Sequence, residues 1–150
     1  MSTTRFSEET GITYGEEAGG WTHYDNNDGH KRAVGAKYCT KAALLADHEN
    51  YLIRAGWMKG TVMKALFVVI IKDRHADVDA EAFDNPEDAI AYAKRMVNMM
   101  CRHKEDIEEE LNEAMIRGGW IYYCRYSCES DCVYAMKKVL NPELPKIEGN

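Results

Sequence analysis

Residues 65–90 read Ala65-Leu66-Phe67-Val68-Val69-Ile70-Ile71-Lys72-Asp73-Arg74-His75-Ala76-Asp77-Val78-Asp79-Ala80-Glu81-Ala82-Phe83-Asp84-Asn85-Pro86-Glu87-Asp88-Ala89-Ile90. The apolar run Ala65 to Ile71 is too short and too β-branched for a helix. It predicts a central strand buried on both faces. Asp73 to Asp77 forms a turn, and Val78 to Phe83 alternates as a returning strand, which makes a hairpin. Asn85 (or Asp84) can cap a helix. Pro86 suits its first position, where a missing N–H costs nothing, and Glu87 and Asp88 complement the positive end of its dipole. Ile90, Ala93, Met96, Val97 and Met100 then space a buried stripe. The apolar spacing runs on through Ile107, Leu111 and Met115 to Gly118-Gly119. One helix of that length would far exceed the usual ~11–12 residues, so a break near Arg102–Lys104 is expected.

Downstream, Trp120 to Leu140 predicts a second hairpin. Trp120, Tyr122, Cys124, Tyr126 and Cys128 alternate with Ile121, Tyr123, Arg125 and Ser127; Glu129-Ser130-Asp131 turns, and Cys132 to Leu140 returns. Upstream, Thr40 is a plausible N-cap, Leu44, Leu45, His48, Tyr51 and Leu52 form one helical stripe, and Gly56 offers a left-handed stop. His48 on that stripe reads as a core-edge histidine rather than a ligand. In residues 1–37, Gly15, Gly19, Gly20, Asp25, Asn26, Asn27, Asp28 and Gly29 are closely packed turn formers. Tyr14, Trp21 and Tyr24 among them suggest anchors of a docked segment. The expectation is one α+β domain over residues 38–141, with an antiparallel sheet of about four strands from two hairpins against two or three helices. A loop-rich arm, 1–37, docks on it, and a flexible tail, 142–150, follows Pro142.

A chain of 150 residues suits one domain with a real core. The net charge of −6 disfavours nonspecific nucleic-acid binding, which needs a basic surface. Residues 1–64 carry eight basic and eight acidic side chains; residues 65–150 carry eleven and seventeen, hence all of the −6. An electrostatic partner of the second part is therefore expected to be basic or cationic. No apolar stretch approaches the ~20 residues of a bilayer-spanning helix, and Met1 to Gly20 has no apolar signal core. The chain reads as cytoplasmic, with its five cysteines reduced.

Four groups of residues are candidates for chemistry. Cys124, Cys128 and Cys132 space three thiols by four. On a helix they would share a face suited to a metal; on a hairpin Cys128 and Cys132 would oppose each other as a redox-sensitive pair. Their alternative is small buried hydrophobes of a sheet. Asp73, His75, Asp77 and Asp79 alternate, so an extended chain would project them to one face as a divalent-cation set; otherwise they are ordinary residues of an exposed turn. Glu105, Asp106, Glu108, Glu109, Glu110 and Glu113 form an acidic run, either a dock for a basic protein or a solvated helix face over Ile107, Leu111 and Met115. His23 and His30 flank Asp25 and Asp28 in a loop that could hold a metal or simply face water. No Walker loop, dinucleotide fingerprint or nucleophile elbow is present, and no cofactor is implied.

Lys72-Asp73-Arg74-His75-Ala76-Asp77-Val78, Asn85-Pro86-Glu87-Asp88-Ala89-Ile90 and Trp120-x-x-Tyr123-x-x-Tyr126-Ser127-x-Glu129 give residues 66–140 a resemblance to small accessory proteins carried by bacteriophages and bacteria. The resemblance implies a protein that blocks or redirects host machinery, and carries no catalytic residue with it.

The functional expectation is a non-enzymatic binding protein that inhibits or modulates a macromolecular partner, such as a phage-type antagonist of a host defence or nucleic-acid enzyme, anti-CRISPR-like or anti-restriction-like. Glu105, Asp106, Glu108, Glu109, Glu110 and Glu113, with Trp120, Tyr122 and Tyr126, would meet a basic protein surface. Association of copies of the chain is compatible with this. The alternatives are a small metal- or thiol-dependent enzyme using the Asp/His or cysteine sets, and a protein that sequesters a small ligand such as a nucleotide.

Overall fold

A computed structural model describes residues 3–140, with side chains from residue 7 onward. The tail expected over 142–150 lies outside the described residues. The elements are α1 (Thr3–Thr10), β1 (Ile12–Glu17), β2 (Gly20–Asp25), β3 (Arg32–Tyr38), α2 (Lys41–Arg54), β4 (Ala65–Lys72), β5 (Asp79–Phe83), α3 (Pro86–Met100), a 3-10 turn (Lys104–Asp106), β6 (Glu108–Glu109), α4 (Glu113–Arg117), β7 (Trp120–Arg125) and β8 (Cys132–Val139). The fold is α+β, with two antiparallel sheets, β1-β2-β3 and β5-β4-β8-β7-β6.

Both predicted hairpins form, and they join through β4 and β8 at the centre of the larger sheet. That sheet has five strands rather than four, because residues 108–109 leave the helical register and pair with Arg125 and Cys124. β4 is buried on one face only. Phe67, Val69 and Ile71 point into the core, while Leu66, Val68 and Ile70 are half-exposed on the other side. Its aliphatic density is not matched by burial on the second face.

α3 begins as its sequence dictates. The Asn85 side chain accepts from the Asp88 N–H at 2.8 Å, with Pro86 inside the first turn. It ends at Met100, two residues before the break expected near Arg102–Lys104. Ile90, Ala93 and Val97 are buried, and Met96 and Met100 pack at the margin. α2 is capped by Thr40, whose hydroxyl accepts from the Ala43 N–H at 3.1 Å, and it stops at Gly56 with φ +85°. α2, α3 and α4 pack on the Phe67 side of the sheet through residues such as Leu44, Ala93 and Ile116.

Residues 12–38 are not a loop-rich arm. They form the three-stranded sheet; Gly19 lies in its first hairpin turn and Asn26 to Gly29 in its second, while Gly15, Gly20 and Asp25 belong to the strands. Thr13 and Tyr14 of β1 and Trp21, Thr22 and Tyr24 of β2 are strand formers. The small sheet lies against α2: Tyr38, Tyr14 and Trp21 join the main core, and Ile12 packs with Tyr51 and Leu52 in a second cluster. α2 is therefore held between two sheets. No helix among the described residues is long and apolar enough to cross a membrane.

At the junction of α2 and the small sheet, His23 and His48 are buried side by side, His23 being fully enclosed. His23 Nε2 and His48 Nδ1 share a hydrogen bond at 3.0 Å, and the His23 ring stacks on Tyr51 at 4.2 Å between centroids. His48 is thus a core residue rather than a core-edge one. His23 lies in β2, away from the exposed turn that carries His30, so the two do not flank a shared loop site.

Candidate functional site

A cleft opens where three connections meet at one end of the main sheet. It is about 540 Å³. The β4–β5 turn supplies Asp73, Arg74 and His75; the end of α3 and the 3-10 turn supply Met100, Arg102, His103 and Asp106; the β7–β8 loop supplies Tyr126, Ser127, Cys128, Glu129 and Asp131.

The two loops are stitched together by carboxylates. Asp131 is buried; its Oδ1 accepts from the Arg74 N–H at 2.8 Å, and its Oδ2 accepts from the Ser127 hydroxyl at 2.9 Å. Ser127 Oγ in turn accepts from the N–H groups of Glu129 and Asp131. Asp73 Oδ2 accepts from the Tyr126 hydroxyl at 2.5 Å, and Asp73 Oδ1 accepts from the His75 N–H at 2.8 Å. The Tyr126 hydroxyl bond, seconded by the His75 N–H, holds the Asp73 carboxyl below the usual carboxylate range. Burial raises the Tyr126 phenol, so it stays a donor. Arg74 is committed to an ion pair with Glu129. Asp73, Asp106, Glu129 and Asp131 are four carboxylates against the two guanidinium groups of Arg74 and Arg102, so the cleft is net acidic. It continues into a shallower groove lined by Glu105, Asp106, Glu108 and Arg125.

Replacing Tyr126 with Phe should leave the fold intact and raise the Asp73 pKa toward its ordinary value. Carboxyl-carbon NMR through an acid titration reads this directly; an unmoved Asp73 midpoint would show that the hydroxyl does not set its charge.

Comparison with protein-family models, with curated proteins and with solved structures finds no match. The residues themselves therefore carry the functional argument.

The residue sets marked in the sequence are redistributed. Asp73 and His75 enter the cleft. Asp77 stays in the exposed turn, and Asp79 sits in β5 opposite Ile71, its carboxylate turned to the Ala80 N–H. The alternation is lost because Asp73 to Asp77 is a turn, not an extended strand. Cys124 and Cys132 are buried, and Cys128 is exposed in the loop. Cys132 pairs with Arg125, not with Cys128, because the connection is longer than a three-residue turn. Among the described residues no three His, Cys, Asp or Glu side chains converge in a way that could hold a metal ion. Burial raises the thiol pKa of both Cys124 and Cys132, which keeps them protonated and poorly nucleophilic.

The acidic run does not share one helix face. It passes through the 3-10 turn, β6 and the start of α4. Glu108 pairs with Arg125 at 2.6 Å, and Glu109 accepts from the buried Tyr122 hydroxyl at 3.0 Å. Glu113 lies 3.7 Å from Lys41. Glu105 and Asp106 border the acidic cleft. Of the aromatic candidates, Tyr122 and Tyr126 are core residues, a correction that follows from the irregular register between Trp120 and Tyr122, which turns Ile121, Tyr122, Cys124 and Tyr126 inward. Trp120 remains half-exposed. Arg74, Arg102, His103, Ser127 and Asp131 were not singled out in the sequence. The one signal for them was the small polar cluster Ser127 to Asp131 between strands, where Ser and Asp commonly bond local backbone.

Proposed function

We propose that this chain is a non-enzymatic binding protein that takes a cationic side chain of a macromolecular partner into the cleft between the β4–β5 turn and the β7–β8 loop. The observation that carries the reading is the fixed excess of carboxylates there, with Asp73 held ionised and both Asp73 and Asp131 oriented by hydroxyl and N–H donors. A preorganised pair of carboxylates suits the planar, two-pronged donor set of arginine. Glu105 and Asp106 extend negative potential from the rim and steer a basic surface toward it. Enzymes that handle nucleic acids present such basic surfaces, so an antagonist of a host nucleic-acid enzyme is the narrower form of the same proposal.

A second reading, sequestration of a small ligand, draws on the cleft volume, which falls in the usual range for small-molecule sites. Its carboxylates oppose a phosphate-bearing ligand, and Arg74 is already paired with Glu129. A rise in melting temperature with a nucleotide panel would favour it.

The test is isothermal titration of the full chain with an arginine-rich peptide. Glu105→Lys with Asp106→Lys should weaken binding by about tenfold or more, and raised salt should weaken it further. Glu113→Lys, on α4 away from the cleft, should change little. Equal affinity of the unaltered and doubly reversed chains would remove the acidic-cleft reading.

A further inference from the structure

The main sheet has a second face. Strand alternation sets Leu66, Val68 and Ile70 of β4, Tyr134 and Met136 of β8, and Trp120 and Tyr123 of β7 opposite the helices. All are half-exposed, and none belongs to the core or its margin. Their rings already touch: Trp120 stacks on Tyr134 at 4.5 Å between centroids, and Tyr123 lies 5.8 Å from Trp120. The centre of the face is free of charge. Charge returns only at its rim, with Lys138 beside Met136, Lys72 beside Cys132, and the Arg125–Glu108 pair at the β6 edge, followed by Glu110.

We infer that this face is the contact between two copies of the chain, packed sheet on sheet around a two-fold axis. Three observations select a second copy. The composition, aromatic and methionine at the centre with charges only at the margin, is that of a buried interface core. The extent suits a weak pair: strands of eight, eight and six residues at the centre, flanked by β5 and β6, span roughly 470 Å² per copy at normal strand spacing and rise, in the size range of transient interfaces. The rim is self-complementary. In orthogonal packing about a diagonal two-fold, the acidic β6 edge of each copy, Glu108 and Glu110, lies over the Lys138 end of the other. A polyanion fits less well, because two of the rings spend a face on each other and the β6 edge is acidic.

The test is the mass of the unaltered chain by light scattering over roughly 1–200 μM, a span chosen for an interface of this size. The expected result is twice 17.1 kDa at the upper end. A mass of 17.1 kDa throughout overturns the inference. Tyr134→Lys should weaken association by about 100-fold while keeping the far-ultraviolet circular dichroism, because the side chain faces outward in the single copy. Met99→Lys, on the exposed outer side of α3, should leave the pair intact. A folded Tyr134→Lys that still pairs overturns the inference. Zero-length cross-linking of mixed isotope-labelled and unlabelled chains tests the face without substitution. An intermolecular Lys138–Glu110 or Lys138–Glu108 link is expected, and a pair linked only through other residues overturns it.

Discussion

Lowering the pH from 6.5 to 4.5 should cost the folded chain about 2–3 kcal/mol through His23 alone. His23 is fully enclosed, and its pKa is lowered to about 4, first by burial and then by the neighbouring His48; Asp47 opposes the shift without reversing it. Burial lowers His48 as well. The unfolded chain takes up these protons near pH 6.5, whereas the folded chain takes up each at a lower pH, that of His23 only near 4. Stability from the neutral pair is therefore complete above pH 6.5 and is lost as the pH falls toward 4. Most carboxylates remain ionised over much of that window, so urea midpoints at successive pH values isolate the effect. His23→Gln should flatten the profile between pH 6.5 and 4.5, even if it is less stable at neutrality. An unaltered slope in that variant would mean that other groups set the acid response.

Gly20→Ala should destabilise the chain by about 3 kcal/mol or more. Gly20 has φ +148°, a conformation that L side chains rarely adopt, and an added Cβ would stand 2.2 Å from the Tyr38 carbonyl oxygen. That oxygen is backbone and cannot rotate away. Moving it displaces Tyr38, whose ring is in the main core and whose hydroxyl donates to Asp47 at 2.6 Å. Gly56→Ala is the control: φ is +85° there, and nothing lies within 4 Å of the added atom, so only the left-handed penalty of about 1 kcal/mol applies. Denaturant midpoints of the two variants give the comparison. Equal losses would show that the β2–β3 contact at Gly20 yields and that the small sheet is loosely attached.

The parts of the fold legible in the sequence are those where local chemistry and tertiary packing agree. Asn85-Pro86-Glu87-Asp88 marks a helix start by its own hydrogen bonds, and Thr40 does the same for α2. The two hairpins followed from β-branched and aromatic runs between polar turns. The small sheet was missed because its strands are rich in glycine and acid, with little apolar alternation: Ile12-Thr13-Tyr14-Gly15-Glu16-Glu17 buries only Ile12. Its stability comes from contacts with α2 that local pattern does not reveal. The cleft was half legible. Asp73 and His75 were marked for their spacing, yet what unites them with Tyr126 and Asp131 is the meeting of two loops some fifty residues apart in the chain. The cysteine spacing misled because the β7–β8 loop is longer than a tight turn, which separates Cys128 from Cys132.

The acidic cleft as the receptor for a cationic side chain is tested most directly by backbone NMR of the full chain titrated with an arginine-rich peptide. Salt-sensitive shift changes confined to residues 73–75, 102–106 and 127–131 are expected. Saturable changes that map instead to the small sheet or the outer side of α3, or no changes at all, would contradict it.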